Sequence, residues 1–158
     1  MHEHPLIGWR EWLALPQLGL TALKAKIDTG ARSSSLHVDW IHEDQRDGRT
    51  WLRFAVATRR RGTTMVECEA PAYDCRDVTD SGGHVTRRWF IRTLVRLAGV
   101  EWEAEINLTN RCTMLFPMLL GRSALGGRFR VDPSVSYTCG RLRASGRKIL
   151  LKPGKAAQ

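Results

Sequence analysis

The sequence predicts an all-β fold, and three observations carry that prediction. Short runs of alternating apolar and polar residues recur along the chain, turn signals separate them at regular intervals, and almost nothing shows helical periodicity. The cleanest run is 100–108. Val100, Trp102, Ala104, Ile106 and Leu108 share one face, and Glu101, Glu103, Glu105 and Asn107 share the other, as in a half-buried strand. Strands of this length and spacing close into a barrel or pack as a sandwich. At 158 residues, 42% hydrophobic and 26% charged, the chain reads as one globular domain over 1–158, with 1–6 and 153–158 as terminal tails.

In chain order, residues 7–15 predict a first strand with Trp9 and Trp12 packing, and Pro16-Gln17-Leu18-Gly19 is a turn. Residues 20–27 put Leu23, Ala25 and Ile27 on one face and end on Asp28-Thr29-Gly30-Ala31. Arg32 to Ser35 reads as a polar loop, residues 36–40 as the start of another strand, and His42 to Gly48 as a charged turn. Residues 50–58 and 63–69 predict a hairpin with Arg59-Arg60-Arg61-Gly62 as its solvated turn. Tyr73 to Asp77 reads as irregular. Asp80-Ser81-Gly82-Gly83 is the strongest turn signal, after which 85–97 returns with Trp89, Ile91, Thr93, Val95 and Leu97 on one face. Ala98-Gly99 turns the chain into 100–108, and Thr109-Asn110-Arg111 turns it out again. Met114 to Leu120 is apolar apart from Pro117 and predicts a strand buried on both faces. Ser123-Ala124-Leu125 predicts one short helix, and 148–152 a last edge strand.

Composition narrows the function classes. A net charge of +9 draws a protein toward nucleic acid, anionic surfaces or acidic polypeptides. The basic residues are scattered, without aromatic interleaving or a nucleic-acid motif, so nucleic acid is not an expected partner. No stretch reaches the 18 apolar residues of a membrane span, and Met1-His2-Glu3-His4-Pro5 has neither the basic region nor the apolar core of a signal peptide, which predicts a cytoplasmic protein with no membrane partner. Cys68, Cys75, Cys112 and Cys139 form no CxxC pair and read as thiols used mostly for packing. The five histidines form no HExxH or inverted pattern, and no P-loop is present, so neither a metal nor a cofactor is expected.

Asp28 is the candidate chemical group. A carboxylate just past a buried strand, followed by a hydroxyl and a glycine, suits a hydrolytic aspartate. Thr29 can lock the loop by hydrogen bonding, and Gly30 lets backbone approach the carboxyl. An ordinary Asp-Thr-Gly turn has the same residues, and the rest of the chain decides between them. Two further features follow in order: a Gly-tipped hairpin, Val78 to Trp89, and the apolar Met118-Leu119-Leu120 ending in Gly121-Arg122 before a short helix.

With those three features in that order, the sequence resembles the retropepsin-like aspartic proteases. More narrowly, it resembles a bacterial family once labelled ATP-dependent zinc protease and associated with ATP-grasp ligases that add glutamate to protein tails. The matching stretches are Gly8 to Trp12, Ala25 to Arg32, Pro117 to Arg122 and Val131 to Ser134. The resemblance implies a small closed acid-protease barrel with one short helix. It implies catalytic roles for Asp28, Thr29 and Gly30, substrate contacts from Ala31, Gly82 and Gly83, and structural support from Gly121 and Arg122. The implied activity is an aspartic endopeptidase that hydrolyses a polypeptide substrate with a water held between two Asp28 carboxyls of a homodimer. An ATP-grasp ligase is a candidate partner. The alternative is a non-catalytic module of the same fold that binds such a ligase or an acidic polypeptide tail. Asp80-Ser81-Gly82 lacks the apolar strand of a second catalytic motif and sits where a flap tip belongs.

Two departures stand out. Arg32 follows Ala31 where retroviral enzymes usually carry an acid, so Arg122 needs another partner, for which Asp132 and Asp39 are candidates. The longer interval between the Asp28 and Gly121 motifs implies an extra hairpin within 38–70.

Overall fold

The computed structural model describes residues 3–58, 64–110, 115–140 and 150–151. Its strands are β1 (Leu6–Ile7), β2 (Arg10–Leu15), β3 (Leu20–Asp28), β4 (Ser34–His37), β5 (Ile41–Arg46), β6 (Arg49–Val56), β7 (Thr64–Pro71), β8 (Asp74–Thr79), β9 (Val85–Leu97), β10 (Val100–Thr109), β11 (Met118–Gly121), β12 (Arg130–Val131) and β13 (Leu150–Leu151). Among the described residues there is one α-helix, α1 (Arg122–Leu125), and one 3-10 turn, Pro16–Leu18. The fold is all-β.

Six strands close on themselves in the order β10-β4-β11-β3-β2-β9, because β9 pairs with β10 as well; β8 extends the sheet beyond β9. Closure removes the open edges that an isolated sheet would present to other chains. The interior is the inward face of each alternating run: Leu13, Leu23, Leu36, Ile91, Ile106 and Met118 are all fully buried. A second sheet, β13-β7-β6-β5, adds Leu52, Phe54, Val56 and Val66 to the same core. It contains the extra hairpin that the interval between the two motifs implies. The parallel pair β1–β12 joins the start of the chain to the segment after α1.

The hairpin between β9 and β10 turns through Ala98 and Gly99, with φ of 53° and 76°. Two left-handed residues give the mirror-image turn whose twist matches that of the strands. The same turn recurs at Asp47 and Gly48.

Several sequence expectations are corrected. His42 to Arg46, read as a charged turn, belongs to β5; Tyr73 to Asp77, read as irregular, contributes most of β8. Both strands are mostly polar and lie at sheet edges, so they lack the apolar alternation that would mark them. Conversely, of the apolar run 114–120 only Met118 to Leu120 is strand; Leu115 is 64% exposed, and Met114 lies outside the described residues. Leu6, placed in the N-terminal tail, pairs with Arg130. The Arg59 to Gly62 turn, Cys112, His2 and residues 153–158 fall outside the described residues. Cys68 is buried, as expected for a packing thiol, whereas Cys75 is half-buried and Cys139 exposed.

No helix among the described residues is long and apolar enough to cross a membrane.

Candidate active site

Asp28 is the last residue of β3, and the strand beside it is β11, which runs parallel with Gly121 opposite Asp28. On its other side β11 pairs antiparallel with β4. Strands β3 and β4 are near neighbours in sequence, yet β11 lies between them. The connection from Thr29 to Ser33 therefore has to arch over the end of β11.

That crossing fixes the residue beneath it. A Cβ on Gly121 would lie 2.5 Å from the Ser33 carbonyl oxygen and 3.0 Å from that of Ala31. Glycine is the residue that fits, on steric grounds alone. The Gly121 N–H donates to Ser34 Oγ at 3.0 Å, and Ser34 is fully buried. The next amides hold the arch from below. Arg122 N–H donates to the Ala31 carbonyl at 2.7 Å, and Ser123 N–H to that of Arg32 at 3.1 Å. The Arg122 guanidinium completes the clamp by donating Nη1 to the carbonyls of Gly30 (3.1 Å) and Thr29 (3.3 Å). The partners of Arg122 are thus backbone oxygens, and neither Asp132 nor Asp39 fills the role offered to them. Asp132 accepts from Ser134 N–H and Oγ, bonds that hold its carboxyl below the usual carboxylate range. Asp39 faces His37, 3.9 Å away.

Asp28 itself is half-buried. Its Oδ1 accepts the N–H groups of Gly30 (3.0 Å) and Ala31 (3.2 Å), so the carboxylate is oriented by its own loop. Thr29 and Gly30 are exposed. The loop therefore presents an aimed carboxylate, a hydroxyl-bearing residue and bare backbone at the surface of a rigid barrel.

Gly82 and Gly83 lie elsewhere, at the exposed tip of the β8–β9 hairpin. Asp80 organises that tip: Oδ1 accepts the N–H of Gly82 and of His84, both at 2.9 Å, and its carbonyl accepts that of Gly83 at 3.0 Å. Asp80 thus serves as a turn-forming carboxylate, and the two glycine amides are engaged inside the turn.

Two polar groupings escaped the sequence reading. Asn107 sits on the face of β10 expected to meet water, yet it is fully buried, because the hairpin strand β9 lays Arg88 over it. Its Nδ2 donates to the Ser34 carbonyl (2.9 Å), and its Oδ1 accepts from Ser35 Oγ (3.0 Å) and Arg88 Nη1 (3.0 Å). The one legible sign was that the row Glu101, Glu103, Glu105 breaks at a neutral residue. The second grouping is Glu11, fully buried on β2. Its Oε2 accepts Gly8 N–H (2.7 Å), Thr138 N–H (3.1 Å) and Thr138 Oγ (2.7 Å), which fastens the segment after β12 onto the start of the barrel. A Cβ on Gly8 would collide with the Val135 carbonyl that passes over it.

Comparisons with known proteins bear on the family and the fold. Residues 6–141 match the model of the RimB-like family, described as retropepsin-like aspartic endopeptidase RimB. A Legionella pneumophila protein of unknown function has a similar crystal structure, with a TM-score of 0.71 and 31% identity over 86% of this chain and 98% of that one. Proteins named probable alpha-L-glutamate ligase are 39% identical, over 136 residues in Shewanella halifaxensis and 149 in Parasynechococcus marenigrum, or 85% and 94% of this chain. The chain spans only about a third of the length of those ligases, 30% and 32% respectively. The match across 6–141, on a chain that folds as a closed barrel, places this chain in the RimB-like family of retropepsin-like aspartic endopeptidases.

Proposed function

We propose that the chain is an aspartic endopeptidase whose working unit is a symmetric homodimer with one Asp28 from each subunit. The observation that carries this reading is the arch itself: a carboxylate pre-aimed by two backbone N–H groups and clamped from below by Gly121 and Arg122. Such rigidity is what proton transfer at a fixed point requires. One chain supplies one such loop among its described residues, so a two-fold axis beside Thr29 and Gly30, both exposed, provides the second.

In the dimer, Oδ1 of each Asp28 stays on its loop amides, and the two Oδ2 atoms face each other. Two carboxyls in contact hold one proton between them, because like charges so close cannot both be ionised. The ionised member takes a proton from a bound water, which attacks the scissile carbonyl. The protonated member donates to the carbonyl oxygen as it gains charge, and the proton gained from water then passes to the leaving amine. Ala31 lies beside the reacting peptide. Gly82 and Gly83 stand at the tip of the hairpin that closes over it; with their N–H groups held by Asp80, contact there runs through carbonyls or follows release of the turn.

Asp28→Asn tests the reading. Asparagine keeps an acceptor for the Gly30 and Ala31 amides and so keeps the loop, but it cannot exchange a proton. Cleavage of an unstructured polypeptide should fall about a thousandfold or more. Cleavage at the parental rate by the folded variant would remove Asp28 from the mechanism.

A second reading has its own support. The relatives are named ligases, and the matched part is under a third of their length. The +9 charge suits an acidic ligand. On this reading the barrel binds a ligase or an acidic tail without cutting it. A monomer that cleaves nothing, and whose affinity for an acidic polypeptide is the same with and without the Asp28→Asn substitution, would favour it.

A further inference from the structure

We propose that Asn107 is a positioning residue that couples the β8–β9 hairpin to the loop carrying Asp28. The inference deepens the proteolytic reading and, for its kinetic part, rests on it. Asn107 is fully buried at the meeting of three strands: it pairs with Ser35 of β4 on one side and Phe90 of β9 on the other. Its amide can point only one way. The NH2 donates to the Ser34 carbonyl, and the oxygen accepts from the Arg88 guanidinium; flipped, it would set oxygen against oxygen and NH2 against a cation.

Each end of the network then leads somewhere useful. Arg88 is 8% exposed and belongs to the hairpin, where its Nε also donates to Thr86 Oγ at 2.9 Å. Ser34 receives Asn107 on its carbonyl and Gly121 on its hydroxyl, and Gly121 lies opposite Asp28 under the arch. A shift of the hairpin strand moves Arg88, Arg88 moves the Asn107 amide, and Asn107 moves the strand that leaves the Asp28 loop. Closure of the hairpin over a peptide is therefore felt at the carboxylate through three successive hydrogen bonds in a buried setting, where such bonds are stiff and costly to break.

The test uses Arg88→Met, which keeps the apolar stem, Arg88→Lys, which keeps a donor, and Asn107→Leu. Amide hydrogen exchange needs no catalysis. Arg88→Met should speed exchange at Gly121, Gly30 and Ala31 about tenfold, although Arg88 touches none of them, and should leave Leu52 and Phe54 of β6 unchanged. Arg88→Lys should restore most of the protection. On a cleaved peptide, Arg88→Met and Asn107→Leu should lower kcat about tenfold with KM nearly constant. Exchange that changes only within the hairpin, or rises evenly through the barrel, overturns the proposal. So does a rise in KM at constant kcat, which would make Arg88 a direct substrate contact. If the parent cleaves nothing and the exchange effect is still present, the coupling stands and the proteolytic reading falls. Asn107→Leu can fail to fold; the arginine variants, which leave Asn107 in place, keep the test decisive.

Discussion

At the scale of single residues, the site is governed by what lies under the arch. Gly121 has no room for a methyl group, since Ser33 and Ala31 carbonyls occupy that volume. Gly121→Ala should cost about 2 kcal/mol and lower Tm by about 5 °C, read by thermal unfolding of a protein that still forms the barrel. The Asp28 tetrapeptide and the Gly121-Arg122 pair were both legible in the sequence, because the first ends an alternating strand and the second an apolar run. Their contact was not, since 93 residues separate Asp28 from Gly121 and no local pattern encodes which strand is inserted where. The partners of Arg122 were misjudged for a related reason. Sequence reasoning looks for a carboxylate to match a guanidinium, whereas here curved backbone offers carbonyls instead.

Among the elements, the hairpin strand β8 leans on charge. It is an edge strand with little apolar surface; Arg76 ties it to β10, and Asp74, on the same strand, holds Arg76 in place. Arg76 donates to Asp74 at 2.7 Å and reaches Glu105 of β10 at 3.1 Å. The Arg76 bond, then the Cys75 N–H, holds the Asp74 carboxyl below its ordinary range. A depressed carboxylate stabilises the fold above its unfolded value and loses that contribution as pH falls through its folded value. Acidification below the ordinary aspartate range should thus loosen β8 before the barrel, and Asp74→Asn should remove that step. NMR titration of Asp74 with the β8 amides followed in parallel checks both. Strands with strict alternation, such as β10, were legible almost to the residue; β5 and β8 were missed because charged edge strands bury too little to show a period.

For the whole molecule, the proteolytic reading makes activity a matter of concentration. If two subunits each give one Asp28, dilution below the dimer constant should reduce specific activity, and sedimentation should show the mass falling over the same range. Activity that is independent of concentration in a monomer would contradict the shared site. The all-β class followed from the sequence because alternation is local; closure into a barrel came only through the family resemblance, because the pattern left barrel and sandwich open and closure depends on β9 pairing with both β2 and β10. The threading of β11 between β3 and β4 has a consequence for how the chain comes into being. The loop at residues 29–33 has nothing to lie across until Met118–Gly121 has been synthesised and has slotted into its gap. Non-local pairings of that kind are slow to form, because loop closure must come before the contacts that reward it. On the proteolytic reading, a nascent chain emerging from the ribosome thus carries its acidic residue harmlessly, and the centre is armed only when two finished barrels meet.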